Sequence, residues 1–260
     1  MHPVLFHLGN LTFYSFGLMA ALALLVPGFA LAWPLLRCQR VRIADELTLE
    51  AILAAGFGGF TGARVYYLIQ HWSAVKSDFW GRLFTGAGFT WYGGLMGGFI
   101  AVVLVTRWRK VPLGLMANCV APAIALGYAI GRIGCQLAGD GDYGKVSHYH
   151  SWLLAMAYPH GTVPTLPGVR VYPTPIYEII LMLPIVWVLY RQARKARPGW
   201  YVFGWFLVLS GAERVLIEFI RRNPVIALGL TGAQWLSVAS IIAGLALIVT
   251  TRKKPVVTAP

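Results

Sequence analysis

The chain has 260 residues, of which 58% are hydrophobic and only 12% are charged, and its mean hydropathy is +0.65. Soluble domains carry about 25% charged residues, so this composition excludes an ordinary soluble protein and indicates an integral membrane protein with several spans. The formal net charge of +13 would point to nucleic acid in a soluble protein. In a membrane protein a positive net charge first reflects the Lys and Arg residues of the cytoplasmic loops. We therefore expect no nucleic-acid partner.

Apolar stretches near the roughly 20 residues that a spanning helix needs occur seven times along the chain. They lie at residues 14–36, 48–70, 89–106, 113–135, 174–190, 200–220 and 232–250. No basic region precedes the first stretch, so we interpret it as a retained span and not as a cleaved signal peptide. The predicted fold class is an all-α integral membrane protein with seven transmembrane helices, in one polytopic domain covering residues 1–260.

Clusters of basic residues follow every second apolar stretch. They are Arg37, Arg40 and Arg42; Arg107, Arg109 and Lys110; Arg191, Arg194, Lys195 and Arg197; and Arg252, Lys253 and Lys254. With seven spans all four clusters lie on one side, which the positive-inside rule makes cytoplasmic. This predicts an outside N-terminus and an inside C-terminus. The long segment 140–173, rich in Tyr, His, Trp and Pro, is then a small folded head at the outer interface.

Glycines recur at four-residue spacing in three successive stretches. The pairs are Gly58 and Gly62, Gly93 and Gly97, Gly94 and Gly98, and Gly127 and Gly131. Glycine is common in membrane helices, which would account for any one pair, but this spacing also lets helix backbones approach closely in lipid. We therefore expect the second, third and fourth spans to pack tightly together.

Three arginines, Arg64, Arg132 and Arg214, lie within or at the ends of apolar stretches. Each costs about 2.5–3.5 kcal/mol on insertion scales, so each needs a compensating anion. Arg214 and Glu218 are four residues apart on one predicted helix, and either they neutralise each other or Arg214 is available to a ligand. Arg64 and Arg132 have no carboxylate at helical spacing within their own spans.

The stretch 131–144, G-R-I-G-C-Q-L-A-G-D-G-D-Y-G, combines Arg132 with glycines and two aspartates. A guanidinium fork suits a phosphate, and a glycine-rich loop leaves backbone N–H groups free to help. We expect an arginine-rich cavity near the outer leaflet and an anionic phospholipid as its ligand.

Other polar residues leave alternatives open. Tyr92 is either an interface belt residue or a polar group at the mouth of the cavity. Cys135 is either inert packing or a reactive thiol. His148 and His150 are either polar surface or metal ligands. We predict no metal site, and the spacing of the three cysteines indicates no disulfide framework.

The stretch 131–144 resembles the phosphatidylglycerol-binding segment of the bacterial prolipoprotein diacylglyceryl transferases. The resemblance runs nearly end to end through motifs that are each weak alone but stand in the family's order. They are 14–19 (Y-S-F-G-L-M), 62–64 (G-A-R), 92–94 (Y-G-G), 172–178 (Y-P-T-P-I-Y-E), 213–219 (E-R-V-L-I-E-F) and 234–237 (Q-W-L-S).

The resemblance implies a multi-pass enzyme of the bacterial inner membrane that needs no cofactor. It would move the diacylglyceryl group of phosphatidylglycerol onto the lipobox cysteine of a preprolipoprotein signal peptide and release glycerol-1-phosphate. It implies catalytic roles for Arg132, Arg214 and Tyr92. It also implies substrate-binding roles for Arg64, Gly93, Gly94, Gly134, Asp140, Gly144, Tyr177, Glu178 and Glu218.

The sequence also departs from the family pattern. Tyr92 stands where the family has histidine, and a tyrosine with a pKa of about 10 becomes a useful base only if a neighbouring arginine lowers that pKa. Cys135 stands where the family has asparagine. Two other hypotheses therefore stay open: a phospholipid-binding paralogue that lacks this activity or uses another acceptor, and a transporter for an anionic solute. A transporter would predict an inverted repeat, which the sequence does not show.

Overall fold

The computed structural model describes residues 1–9, 11–76, 81, 90–195 and 197–252. Over these residues the chain is mostly helical, with seven long helices. They are α1 (Ser15–Cys38), α2 (Ala44–Gln70), α3 (Trp91–Trp108), α4 (Leu113–Ala138), α5 (Thr174–Ala193), α6 (Tyr201–Glu218) and α7 (Gly232–Thr251). Each predicted apolar stretch therefore forms a helix. Residue 89 and the basic residues Lys253 and Lys254 lie outside the described residues.

Five of these helices, α1, α2, α4, α5 and α7, are long and apolar enough to cross a membrane. The apolar part of α3, Tyr92–Trp108, is shorter. Helix α6 has 18 residues but carries three charged side chains, Glu213, Arg214 and Glu218. By length and composition this is the helix content of a multi-pass membrane protein.

Helices α2 and α3 pack closely because glycines line both sides of their contact. A Cβ atom on Gly97 would collide with the carbonyl oxygen of Gly58, and one on Gly62 with the carbonyl oxygen of Gly93. The backbones approach to a distance that no side chain permits. The predicted tight packing of the second and third spans is confirmed.

The prediction that the fourth span joins this contact is wrong. Helix α4 packs mainly on α1 and α5. A Cβ atom on Gly127 would lie 2.6 Å from the carbonyl oxygen of Ala23 on α1, whereas one on Gly131 would meet no atom within 4 Å. An apolar cavity of about 350 Å³ separates part of α4 from the α2–α3 pair. Glycine spacing thus marked a face of α4 that meets α1.

The fold class all-α is incomplete, because two short antiparallel hairpins accompany the helices. Strands β1 (Val4–Leu8) and β2 (Leu11–Tyr14) precede α1, and β3 (Val225–Ala227) and β4 (Leu230–Thr231) precede α7. Leu228 and Gly229 have φ values of 50° and 73°, the left-handed conformation that a two-residue hairpin turn requires. The sequence does not reveal strands this short, because they lie directly beside long apolar runs.

The segment 140–173 folds around a small apolar cluster of its own. Tyr143, Tyr158 and Val171 are buried together, and the rings of Tyr143 and Tyr158 stack with centroids 4.8 Å apart. The Tyr158 hydroxyl donates to Gln136 on α4 at 2.9 Å, and the Tyr177 hydroxyl on α5 donates to a carbonyl of this segment. The segment is therefore fixed to the helix ends that it covers.

We predict that Gly97→Ala weakens the fold by about 1–3 kcal/mol, since the added methyl group must push α2 and α3 apart. Thermal unfolding of the purified protein in detergent measures the loss. The matched control is Gly17→Ala on α1, where a Cβ atom meets nothing within 4 Å. Equal unfolding midpoints for the two variants would contradict the packing described here.

Candidate active site

Three arginines and three carboxylates form one continuous ion-pair network where α4, α5 and α6 meet. Its members are Arg132, Asp142, Glu178, Arg214, Glu218 and Arg221. Three positive and three negative formal charges cancel among them. Pairing of this kind is how charged side chains are accommodated within the membrane region.

Glu178 is the centre of this network. Its carboxylate is fully buried and contacts three guanidinium groups: Arg132 Nε at 2.7 Å, Arg214 Nη1 at 3.0 Å and Arg221 Nη1 at 3.3 Å. Helix α5 begins at Thr174 with a proline in its first turn, where the missing N–H group costs nothing. This start places Glu178 in the second turn, between α4 and α6.

The two other carboxylates hold the arginines from opposite sides. Asp142, in the loop after α4, pairs with Arg132 and lies 2.6 Å from Arg221 Nη2. Glu218 lies 3.1 Å from Arg214 Nη2. Its other oxygen accepts hydrogen bonds from Thr231 and Asn223, and Thr231 also caps the start of α7. The network thereby connects α4, α5 and α6 to the start of α7.

The pairing of Arg214 with Glu218, one of the two alternatives from the sequence, is confirmed at 3.1 Å. Arg132 lacks a carboxylate within its own span but receives two from beyond it, Asp142 and Glu178. The side chains of Arg132 and Arg214 nevertheless stay 15% and 23% exposed. Both guanidinium groups are therefore accessible from outside the network.

Sequence reasoning missed two members of the network, Arg221 and Asp142. Arg221 follows Glu218 by three residues in a turn that continues α6, since its N–H group bonds to the Glu218 carbonyl. That spacing would predict a pair with Glu218, whereas Arg221 pairs with Asp142 and Glu178. The family resemblance implies a substrate-binding role for Asp140 and none for Asp142. Asp140 Oδ1 accepts the backbone N–H of Asp142 at 3.2 Å, so Asp140 shapes the turn while Asp142 faces the arginines.

The charge state of Asp142 follows from its two partners. Burial raises the pKa of this carboxyl, but the guanidinium groups of Arg132 and Arg221 outweigh burial and hold the pKa below its ordinary value. Asp142 is therefore ionised at neutral pH and contributes a full negative charge to the network.

The predicted glycines hold elements close to one another. A Cβ atom on Gly144 would lie 2.5 Å from the carbonyl oxygen of Ile220, and one on Gly134 would lie 2.9 Å from Met19 Cβ on α1. Gly144 thus lets the loop that carries Asp142 pass against the end of α6. Gly134, two residues after Arg132, lets α4 approach α1.

Four predicted site residues, Arg64, Tyr92, Gly93 and Gly94, belong to the α2–α3 pair and not to the elements that build the ion-pair network. Arg64 is buried, with its guanidinium 5.6 Å from the centroid of the Tyr67 ring. Tyr92, in the first turn of α3, is 59% exposed. Gly93 packs on α2, and Gly94 lines the apolar cavity.

The apolar cavity and the arginine network are consecutive along α4. The cavity is bounded by α1, α2, α3, α4 and the start of α6, and it reaches Ile124 on α4. Tyr128 follows one turn later, and Arg132 one turn after that, with its guanidinium 4.9 Å from the centroid of the Tyr128 ring. An apolar space and fixed positive charge two helical turns apart on one helix suit an amphiphile with an anionic head group.

A triad of Cys135, Asp140 and Asp142 has its ligand atoms within 4.8 Å of one another, the spacing of a metal site. A guanidinium already occupies this position, because Arg132 Nη1 lies 3.6 Å from Cys135 Sγ and pairs with Asp142. The triad therefore serves Arg132 and does not fit a cation.

Comparison with known proteins gives one consistent result. The profile of the family described as prolipoprotein diacylglyceryl transferase matches residues 3–250. The chain is similar to proteins named phosphatidylglycerol–prolipoprotein diacylglyceryl transferase. The one from Dehalococcoides mccartyi is 32% identical over 89% of this chain and 86% of the relative. That from Clostridium tetani is 30% identical over 94% and 96%, and that from Geobacter sulfurreducens 30% over 98% and 96%.

We predict that Asp142 makes the fold acid-sensitive. Its pKa is lowered in the folded state, so its ion pairs contribute fully above the unfolded pKa of about 4. The contribution is lost as the pH falls through the lower folded value. The stability gap between wild type and Asp142→Asn should therefore shrink as thermal unfolding is followed from pH 7 to pH 3. Asp140→Asn is the control. A gap that stays constant over this range would contradict the prediction.

Proposed function

The chain belongs to the prolipoprotein diacylglyceryl transferase family, and from this premise we propose its reaction. It transfers the diacylglyceryl group of phosphatidylglycerol to the thiol of a lipobox cysteine in a preprolipoprotein signal peptide and releases glycerol-1-phosphate. The observation that supports this best is the partly exposed pair Arg132 and Arg214 in the same helix bundle as an apolar cavity, which ends on α4 two helical turns before Arg132.

In this proposal the lipid phosphate binds Arg132 and Arg214, and the acyl chains lie in the apolar cavity. Arginine is always protonated, and its planar fork matches two phosphate oxygens. The network is already charge-balanced, so an entering phosphate has to replace a carboxylate. Asp142 is the member that can yield, because its side chain is 34% exposed whereas those of Glu178 and Glu218 are buried.

The transfer is a substitution at carbon. The sulfur attacks the glyceryl CH₂ group, the bond from this carbon to the phosphate oxygen breaks, and the electron pair leaves with the phosphate. The phosphate changes from a diester with one negative charge to a monoester that develops a second. Fixed guanidinium groups aimed at that charge stabilise the transition state more than the bound substrate. The thiol proton has to be removed, because the thiolate is the nucleophile.

The remaining predicted site residues have supporting roles in this proposal. Glu178 and Glu218 orient the arginines, and Asp140, Gly134, Gly144 and Tyr177 shape the loop and the head above them. Arg64, Gly93 and Gly94 contribute the α2–α3 side of the lipid site. Tyr92 contacts the substrate at the mouth of the cavity.

We further propose that all seven helices span the bacterial inner membrane as one polytopic domain, with the N-terminus outside and the C-terminus inside. The basic clusters at Arg37–Arg42, Arg107–Lys110 and Arg191–Arg197 support this orientation. Helix α6 can span because Arg214 and Glu218 are neutralised within the ion-pair network. Helix α3, whose apolar part is short, packs on α2 through its glycines. Segment 140–173 is then a periplasmic head.

The activity is tested with purified protein in phosphatidylglycerol vesicles and a synthetic lipobox peptide. We expect the peptide to gain the diacylglyceryl mass and glycerol phosphate to appear. Arg132→Gln and Arg214→Gln should each lower the rate by about 10²–10³-fold, as expected for loss of one stabilising charge. Arg42→Gln, a change in an exposed arginine at the opposite end of the bundle, is the control. Bound lipid without any transfer would indicate the phospholipid-binding alternative.

The orientation is tested with a membrane-impermeant thiol reagent on cells with a permeabilised outer membrane. Leu166 in the head is 75% exposed, so Leu166→Cys should be labelled in intact cells. Wild type carries its exposed cysteine, Cys38, at the basic end and should be labelled only after lysis. Labelling of wild type in intact cells would reverse the proposed orientation.

A further inference from the structure

One buried carboxyl group stands apart from the ion-pair network. Glu213, on α6 directly before Arg214, is only 4% exposed, and its Oε1 has no hydrogen-bond partner among the described residues. It also takes part in none of the ion pairs found in that part of the chain. A buried polar group left unpaired costs about 1–3 kcal/mol, and in a membrane helix it marks a functional position.

The other buried carboxylates of this region already have partners on both of their oxygens. Glu178 touches three guanidinium groups and Glu218 touches one, together with two hydrogen-bond donors. Glu213 forms no ion pair with the arginines, although it lies within electrostatic range of Glu178, Arg214 and Arg132. Of the buried glutamates Glu178, Glu213 and Glu218, Glu213 alone has an oxygen that is engaged neither by a hydrogen bond nor by an ion pair.

A second unpaired polar group lies on the facing helix. The hydroxyl of Tyr128 on α4 is buried and has no hydrogen-bond partner in the described part of the chain. Helices α4 and α6 pack on each other, and Tyr128 lies within electrostatic range of Glu213, Glu178 and both Arg132 and Arg214. Two orphaned groups thus occur between the arginine network and the apolar cavity, where the phosphate and the acyl chains of the proposed lipid meet.

Other side chains of suitable chemistry are less well placed. The six histidines are all exposed in segments outside the long helices or at their ends. Tyr92 is on the α2–α3 pair and is 59% exposed. In the proposed complex Arg132 and Arg214 bind the lipid phosphate. A thiol that reaches the glyceryl carbon beside this phosphate would meet Glu213 and Tyr128. A carboxylate accepts the thiol proton, and a phenolic hydroxyl donates a hydrogen bond to the sulfur.

We propose that Glu213 is the general base of the transfer and that the Tyr128 hydroxyl stabilises the developing thiolate. This inference rests on the proposed function. The S–H proton passes to the Glu213 carboxylate as the C–S bond forms and the bond from the glyceryl carbon to the phosphate oxygen breaks. The electron pair leaves on that oxygen. The proton then moves from Glu213 to the released phosphate monoester, which restores the carboxylate.

The test compares two acceptor peptides that differ only in a cysteine or a selenocysteine at the lipobox position. A selenol is ionised at neutral pH and needs no base. Glu213→Gln should lower kcat with the cysteine peptide by about 10²–10⁴-fold, the usual contribution of general-base catalysis. KM for phosphatidylglycerol should stay within about twofold. With the selenocysteine peptide kcat should stay within about tenfold of wild type.

Two further variants refine the assignment. Tyr128→Phe keeps the ring beside Arg132 and should lower kcat with the cysteine peptide by a smaller factor. Glu213→Asp keeps the carboxyl group and should recover part of the lost rate. Glu46→Gln, which changes an exposed carboxylate in the first turn of α2, is the control and should match wild type.

The possible outcomes separate this inference from the proposed function. Wild type that transfers to neither peptide overturns both. Wild type that transfers, with Glu213→Gln unchanged or equally slow on both peptides, overturns the role of Glu213 alone. If Glu213→Gln does not fold, Glu213→Asp decides, because its shorter side chain should slow transfer to the cysteine peptide more than transfer to the selenocysteine peptide. A rate loss of equal size on the cysteine and the selenocysteine peptide would then overturn the inference.

Discussion

The contact of Glu178 with three guanidinium groups is the interaction on which the polar interior depends. Arg132, Arg214 and Arg221 come from α4, from α6 and from the turn after α6, and they converge on this one buried carboxylate. Removing one member of a buried ion pair costs about 3–5 kcal/mol because its partner is left uncompensated. Without Glu178 three arginines would lose a partner at once. The ends of α4, α5 and α6 are therefore fixed relative to one another by charge as much as by apolar packing.

This arrangement explains why α6 is tolerated in an apolar bundle although three of its residues are charged. Arg214 and Glu218 lie in the network, and Glu213 is buried beside it. The neutrality of the six-member network also has a functional consequence. A neutral site binds an anion only if it releases one of its own, and Asp142 lies in a loop, at 34% side-chain exposure. In the resting structure Asp142 thus supplies a negative charge that a bound phosphate can supply in its place.

The sequence predicted most of the fold and part of the site, for identifiable reasons. Apolar length located all seven helices, and i,i+4 spacing predicted the pair of Arg214 and Glu218. Four-residue glycine spacing showed that α4 has a flat face but contained no information on which helix meets it, so α1 was missed. The partners of Arg132 are brought to it by tertiary packing, which no local pattern reveals. The apolar stretch 200–220 ends one residue before Arg221, so apolar length does not place this arginine on the helix.

The packing of α4 on α1 rather than on α3 has a consequence for the chemistry. It leaves an apolar cavity between two separately packed units, with α2 and α3 on one side and α4 on the other. Acyl chains need lateral room of this kind, whereas the phosphate needs fixed donors. A base that acts on the attacking thiol has to keep a constant distance to the phosphate arginines, because misplacement by about 1 Å is costly. Glu213 and Tyr128 meet this requirement, since they lie on the same helices as Arg214 and Arg132. Tyr92 belongs to the other unit, and any change in the width of the cavity would alter its distance from the reacting atoms.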